Sequence, residues 1–113
     1  LNKSKFFNTL KNLRYSNKVI EFYVNKNLIN NSFFFKDKNH TILKYEFFEQ
    51  PHEVVFRSFS NVLKNIGKKY YAPRGKKIDK IIGQIKSKRQ IKVTLGGCVI
   101  ERVNQTVIIS KEY

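Results

Sequence analysis

The spacing of the apolar residues changes at Ile91 from helical to strand-like, and that change decides how the second half of this chain can fold. Before it, Val55, Phe59, Val62 and Ile66 recur at helical spacing, widened by Phe56 and Leu63. Ile78, Ile81, Ile82 and Ile85 then repeat an i, i+3, i+4, i+7 pattern. Arg57 and Lys64 fall opposite the first stripe, and Lys76, Lys80 and Ser87 opposite the second. One apolar stripe and one polar face per segment predict two helices laid on a core. After Ile91 come three short β-favouring runs, Ile91–Leu95, Cys98–Arg102 and Thr106–Ser110, broken at Gly96-Gly97 and Asn104-Gln105. Such runs with two-residue breaks predict a small antiparallel meander.

Upstream, residues 4–29 read as one helix or two stacked helical pieces. Phe6, Leu10, Leu13, Ile20, Val24 and Leu28 fall on one stripe, which Asn17 interrupts, leaving room for a break at Ser16-Asn17. Phe33-Phe34-Phe35 and Thr41-Ile42-Leu43 flank the turn formers Asp37-Lys38-Asn39, a hairpin pattern. Pro51 suits the first turn of the next helix, and Gly67 suits the position just past its end. The expected order is helix, hairpin, two helices and a three-stranded meander, hence α+β. Residues 1–113 form one domain, with 1–50 contributing helix and hairpin and 51–113 the basic helices and strands.

The net charge is +15, and its placement says more than its size. Residues 57–92 hold twelve Lys and Arg against a single acid, Asp79, whereas residues 93–113 balance. That is the footprint of a surface for a polyanion. The competing reading is compositional bias, since Lys outnumbers Arg 18 to 5 and Asn, Ile, Phe and Tyr are abundant. Bias alone does not explain why acids vanish from one segment and persist elsewhere. A hydrophobic fraction of 41% excludes disorder. No apolar run reaches the ~18 residues of a membrane span, and no signal-peptide or disulfide pattern is present, so a cytoplasmic protein is expected. The chain starts at Leu1 and contains no Met, which reads as a piece of a longer protein.

Catalytic patterns are thin. His40, in an expected turn, and His52, at a helix start, have no partners at metal-ligand or triad spacing. Cys98 follows two glycines and opens a strand, which suits a small buried residue better than a reactive thiol. Glu46 and Glu49 read as a solvated helical edge. Gly96-Gly97 lies between expected strands with no Lys-Ser/Thr after it, so it reads as a tight turn and not as a phosphate loop opening a helix.

The candidate nucleic-acid contacts are Arg57, Lys64, Lys68, Lys69, Arg74, Lys76, Lys80 and Arg89, with Lys86, Lys88 and Lys92 nearby. If the two helices pack through their stripes, these cations join into a band. Tyr70 and Tyr71 sit among them, placed either to stack on a base or to fill the core beside Pro73. No residue is nominated as catalytic or as a metal ligand.

Two motifs carry a resemblance: Tyr70-Tyr71-Ala72-Pro73-Arg74, and Thr94-Leu95-Gly96-Gly97-Cys98 followed by apolar runs closing on Lys111-Glu112. In this order, and with Val54–Ile66 before them, they resemble the C-terminal, non-catalytic region of tRNA(Ile)-lysidine synthetases of the α-proteobacterial type. The resemblance covers roughly residues 51–113. It implies a parent ligase that uses ATP, with magnesium, to attach lysine to the wobble cytidine of a minor isoleucine tRNA. Its nucleotide loop, Ser-Gly-Gly-x-Asp-Ser, is absent here, so this region alone is expected to be inactive and to bind no cofactor. The implied role is tRNA recognition and positioning, with a missing N-terminal catalytic domain as partner and neither DNA nor membrane expected. Arg74 is the one cation inside a matched motif. The alternative is a stand-alone RNA- or ribosome-binding module.

Overall fold

The computed structural model describes residues 13–35, 39–67 and 75–112. Helix α1 (Leu13–Asn31) leads into a hairpin of β1 (Ser32–Phe35) and β2 (His40–Leu43). A short 3-10 helix at Tyr45–Glu49 turns the chain into α2 (His52–Gly67). Helix α3 (Gly75–Lys86) follows, then β3 (Lys92–Leu95), β4 (Cys98–Val103) and β5 (Thr106–Lys111). The fold is α+β.

The hairpin and the meander are one sheet. All five strands pair antiparallel in the order β1-β2-β5-β4-β3. The seam is β2 on β5, from His40 opposite Ser110 to Leu43 opposite Val107. The expected three-stranded meander is therefore the far part of a larger sheet, and His40 is the first residue of a strand, not a turn residue. Strands at opposite ends of a chain can pair without leaving a local mark in the sequence, because what joins them is the shared apolar face.

That face is built by alternation. Thr41 and Leu43, Cys98 and Ile100, Val107 and Ile109 are buried, while their neighbours are half-buried or exposed. One cross-strand row runs Thr41, Ile109, Ile100, Val93. Helix α2 crosses β2, β5 and β4 and is flanked by α1 and α3. Val55, Phe59, Val62, Leu63 and Ile66 of α2 and Ile78, Ile81, Ile82 and Ile85 of α3 all reach the core, as their spacing predicts. Phe47 and Phe48 join them from the 3-10 helix, Phe48 meeting Phe59 edge-on at 5.9 Å. Glu46 and Glu49 of that segment stay exposed. Each fully buried aliphatic or Phe side chain contributes about 1.5–3 kcal/mol, so this shared core holds both halves of the chain together.

Helix α1 runs unbroken past Ser16-Asn17. Val24 is buried, and Ile20 and Leu28 are half-buried. Phe6 and Leu10 of the expected stripe lie outside the described residues. A buried amide fixes the helix against α2. Asn27 Nδ2 donates to Ser58 Oγ at 3.2 Å and lies 3.3 Å from the Phe47 carbonyl oxygen.

One feature of the α2–sheet contact departs from the sequence reading. Gly67 is the last helical residue and has no left-handed φ. Its role is close approach: a Cβ there would run into the Gly96 carbonyl oxygen and sit 3.3 Å from Cys98 Sγ. The left-handed glycines are Gly96 and Gly97, at φ 62° and 80°, which make the two-residue turn joining Leu95 to Cys98. Arg102 also points inward from β4. It is 7% exposed, and its Nη1 has no hydrogen-bond partner among the described residues.

Candidate nucleic-acid interface

The basic surface follows from the α3 stripe. With Ile78, Ile81, Ile82 and Ile85 turned into the core, the helical period drives Lys76, Lys77, Lys80 and Lys86 to solvent. The chain then continues through Lys88, Arg89 and Lys92, all exposed. None of these seven cations makes an ion pair among the described residues. Asp79, the one acid of residues 57–92, lies 3.1 Å from His52 Nε2 across the α2–α3 contact. Both side chains are at least half exposed, so the pair adds little stability. It does turn the acid toward α2.

The contact also sets where the cations lie. Asp79 meets His52, and Phe56 lies against Gly75, so α2 and α3 run antiparallel with the start of α3 beside the first third of α2. Lys64 is exposed about 12 Å further along α2, at 1.5 Å per residue. The cations therefore form a ridge along α3 and into β3, with Lys64 beyond one end of it. Arg57 sits on the same side of α2 as Lys64, but its Nε donates to Glu53 Oε1 at 2.8 Å. That exposed i, i+4 pair is worth about 0.3–0.5 kcal/mol, so a phosphate can displace the carboxylate.

Of the expected contacts, Lys64, Lys76, Lys80 and Arg89 are exposed, and Arg57 is half-buried and paired. Lys68, Lys69, Tyr70, Tyr71 and Arg74 lie outside the described residues. Lys77 belongs to the ridge and was legible from its place beside Lys76. Arg102 was legible only in part: alternation puts it on the face of Cys98 and Ile100, but a charged residue gives no sign that it will be buried there.

The residues weighed for chemistry do other work. Cys98 is fully buried, and its thiol lies 3.3 Å from the Leu63 carbonyl oxygen. Desolvation pushes its pKa from near 9 to about 11, against a lowering by the Gly67 N–H and with a further rise from Glu112. A thiol held neutral in this way is a packing group, not a nucleophile. His40 stacks on Phe35 with ring centroids 5.1 Å apart. Gly96-Gly97 joins two strands and presses on the end of α2, so these glycines do not fit a nucleotide phosphate, which needs a loop that opens a helix. Among the described residues no three His, Cys, Asp or Glu side chains gather as a metal site. No helix among them is long and apolar enough to cross a membrane.

Comparison of the chain with protein-family models, with curated proteins and with solved structures returns no match.

Proposed function

We propose that this chain is an RNA-binding domain whose α3 ridge holds the phosphates of a tRNA. The observation that carries the reading is the set Lys76, Lys77, Lys80, Lys86, Lys88, Arg89 and Lys92, all exposed and in no ion pair among the described residues, carried by α3, the short connection after it and the start of β3. Lysines fixed on a packed helix meet a phosphate backbone with less loss of chain entropy than lysines on a loop. The motifs around Pro73-Arg74 and Leu95-Gly96-Gly97-Cys98 give the tRNA its proposed setting. In that setting the domain positions tRNA for an ATP-dependent tRNA(Ile)-lysidine synthetase, and the nucleotide and the chemistry belong to a separate catalytic domain.

The test compares two triple variants of equal net charge in fluorescence anisotropy with an unmodified tRNA at low salt. Lys76→Glu/Lys77→Glu/Lys80→Glu changes the ridge. Lys18→Glu/Lys26→Glu/Lys44→Glu makes the same charge change on exposed positions elsewhere. The ridge variant is expected to lose more than tenfold in affinity beyond the control, since each phosphate contact carries a distinct local term. Equal losses in the two variants would assign the affinity to bulk charge and remove the ridge as a site.

A further inference from the structure

On the flank of α2 away from α3 lies a groove of about 350 Å³, lined by Leu28, Ser32, Phe34, Thr41, Asn61, Val62, Asn65 and Ile66. It exists because β1 extends past the cover of α2, leaving Phe34 on the inner side of the sheet yet 58% exposed. Its floor is apolar: Val62 and Ile66 are core residues and Leu28 packs against them. Its size is at the lower end of the ~300–1,000 Å³ range of small-ligand sites.

The rim on α2 is chemically specific. Asn65 Nδ2 donates to Asn61 Oδ1 at 2.9 Å, one helical turn apart. That bond leaves the Asn61 amide N–H groups and the Asn65 carbonyl oxygen for a ligand on the rim of the groove. A donor and an acceptor on one rim can meet the edge of a nucleobase, which presents both kinds of group. Phe34, across the groove, offers an accessible aromatic ring on which a base can stack. No acid lines the groove, and Lys64 stands exposed between the two asparagines in sequence, on the solvent side of the helix. A polyanion is thus drawn to the rim while a flat, uncharged ring system suits the interior.

We infer that this groove takes one unpaired nucleobase of the bound RNA, stacked on Phe34 and hydrogen-bonded by Asn61 and Asn65. The inference rests on the RNA-binding reading and adds base recognition to it. Proteins that read unpaired RNA combine a basic track for the backbone with an aromatic platform and amide contacts for the base. Here the two parts lie on opposite flanks of one helix.

The experiment uses an eight-nucleotide single-stranded RNA and its counterpart with abasic riboses throughout. The two carry the same phosphates, and only one carries bases. Wild-type protein is expected to bind the base-bearing RNA about tenfold more tightly, within the range for one stacked base. Phe34→Ala and Asn65→Ala, both at exposed positions on separate elements, should each weaken binding of the base-bearing RNA severalfold and leave the abasic RNA unchanged. Equal binding of the two RNAs by wild type would overturn the base site while leaving phosphate binding intact. Failure of both RNAs to bind would overturn the phosphate reading as well. A dimer in sedimentation that both variants dissolve would assign the groove to a second copy of the chain.

Discussion

Two glycines on adjacent helices make opposite predictions for the same chemical change. Alanine is favoured over glycine by about 1 kcal/mol in an exposed helix interior. Gly83 of α3 is exposed, and a Cβ there would have no neighbour within 4 Å. Gly83→Ala should therefore stabilise the fold by about 1 kcal/mol. At Gly67 the same methyl collides with the Gly96 carbonyl oxygen. That carbonyl is not free to retreat. Both turn glycines are committed to left-handed backbone, and Glu112 N–H donates to the Gly97 oxygen at 2.9 Å. Relief requires a shift of roughly an ångström between helix end and turn, and overpacking of that kind costs about 1–3 kcal/mol. The two variants should separate by about 2–4 kcal/mol, or at least about 8 °C in Tm for a domain of this size. Urea and thermal unfolding followed by far-UV circular dichroism reads the difference. A Gly67→Ala protein as stable as Gly83→Ala would refute the close approach of α2 to the β3–β4 turn.

Two further perturbations test the core. The Cys98 thiol ionises near pH 9 in the unfolded chain and near 11 in the fold, so between these values the folded state holds the extra proton. Stability should fall by about 2–3 kcal/mol as pH rises through that window. Cys98→Val should lack this component of the alkaline slope, and identical slopes in the two proteins would place the thiol in solvent. Arg102→Met replaces a buried side chain whose Nη1 has no partner among the described residues with an apolar chain, and should raise stability by about 1–3 kcal/mol in urea unfolding. A loss of comparable size would show that Arg102 holds a stabilising contact.

Helices α2 and α3 were legible because each carries a single stripe that only one orientation can bury, and both bury the stripes that spacing predicts. The hairpin and the turn at Gly96-Gly97 were legible from turn chemistry. The seam between β2 and β5 was not, because any apolar strand face suits any other at that level of description. Gly67 shows a subtler limit. Its position at a helix end was read correctly, but its cause is a contact with Gly96, far away in sequence, and not its own backbone. The exposure of the ridge cations followed from the α3 stripe, whereas the pairings of Asp79 with His52 and Arg57 with Glu53 emerged only with side chains in place. The groove beside Asn61 and Asn65 had no sequence signal, since it is made where four elements fail to cover one another.

The most direct test of the central claim is the salt dependence of tRNA binding by the wild-type protein. If the ridge engages about five phosphates, log affinity should fall with log salt at a slope of roughly −3.5 to −4.5. The Lys76→Glu/Lys77→Glu/Lys80→Glu protein should show a slope shallower by about 2 to 3. A flat dependence for wild type, or an unchanged slope in the ridge variant, would contradict phosphate binding by α3.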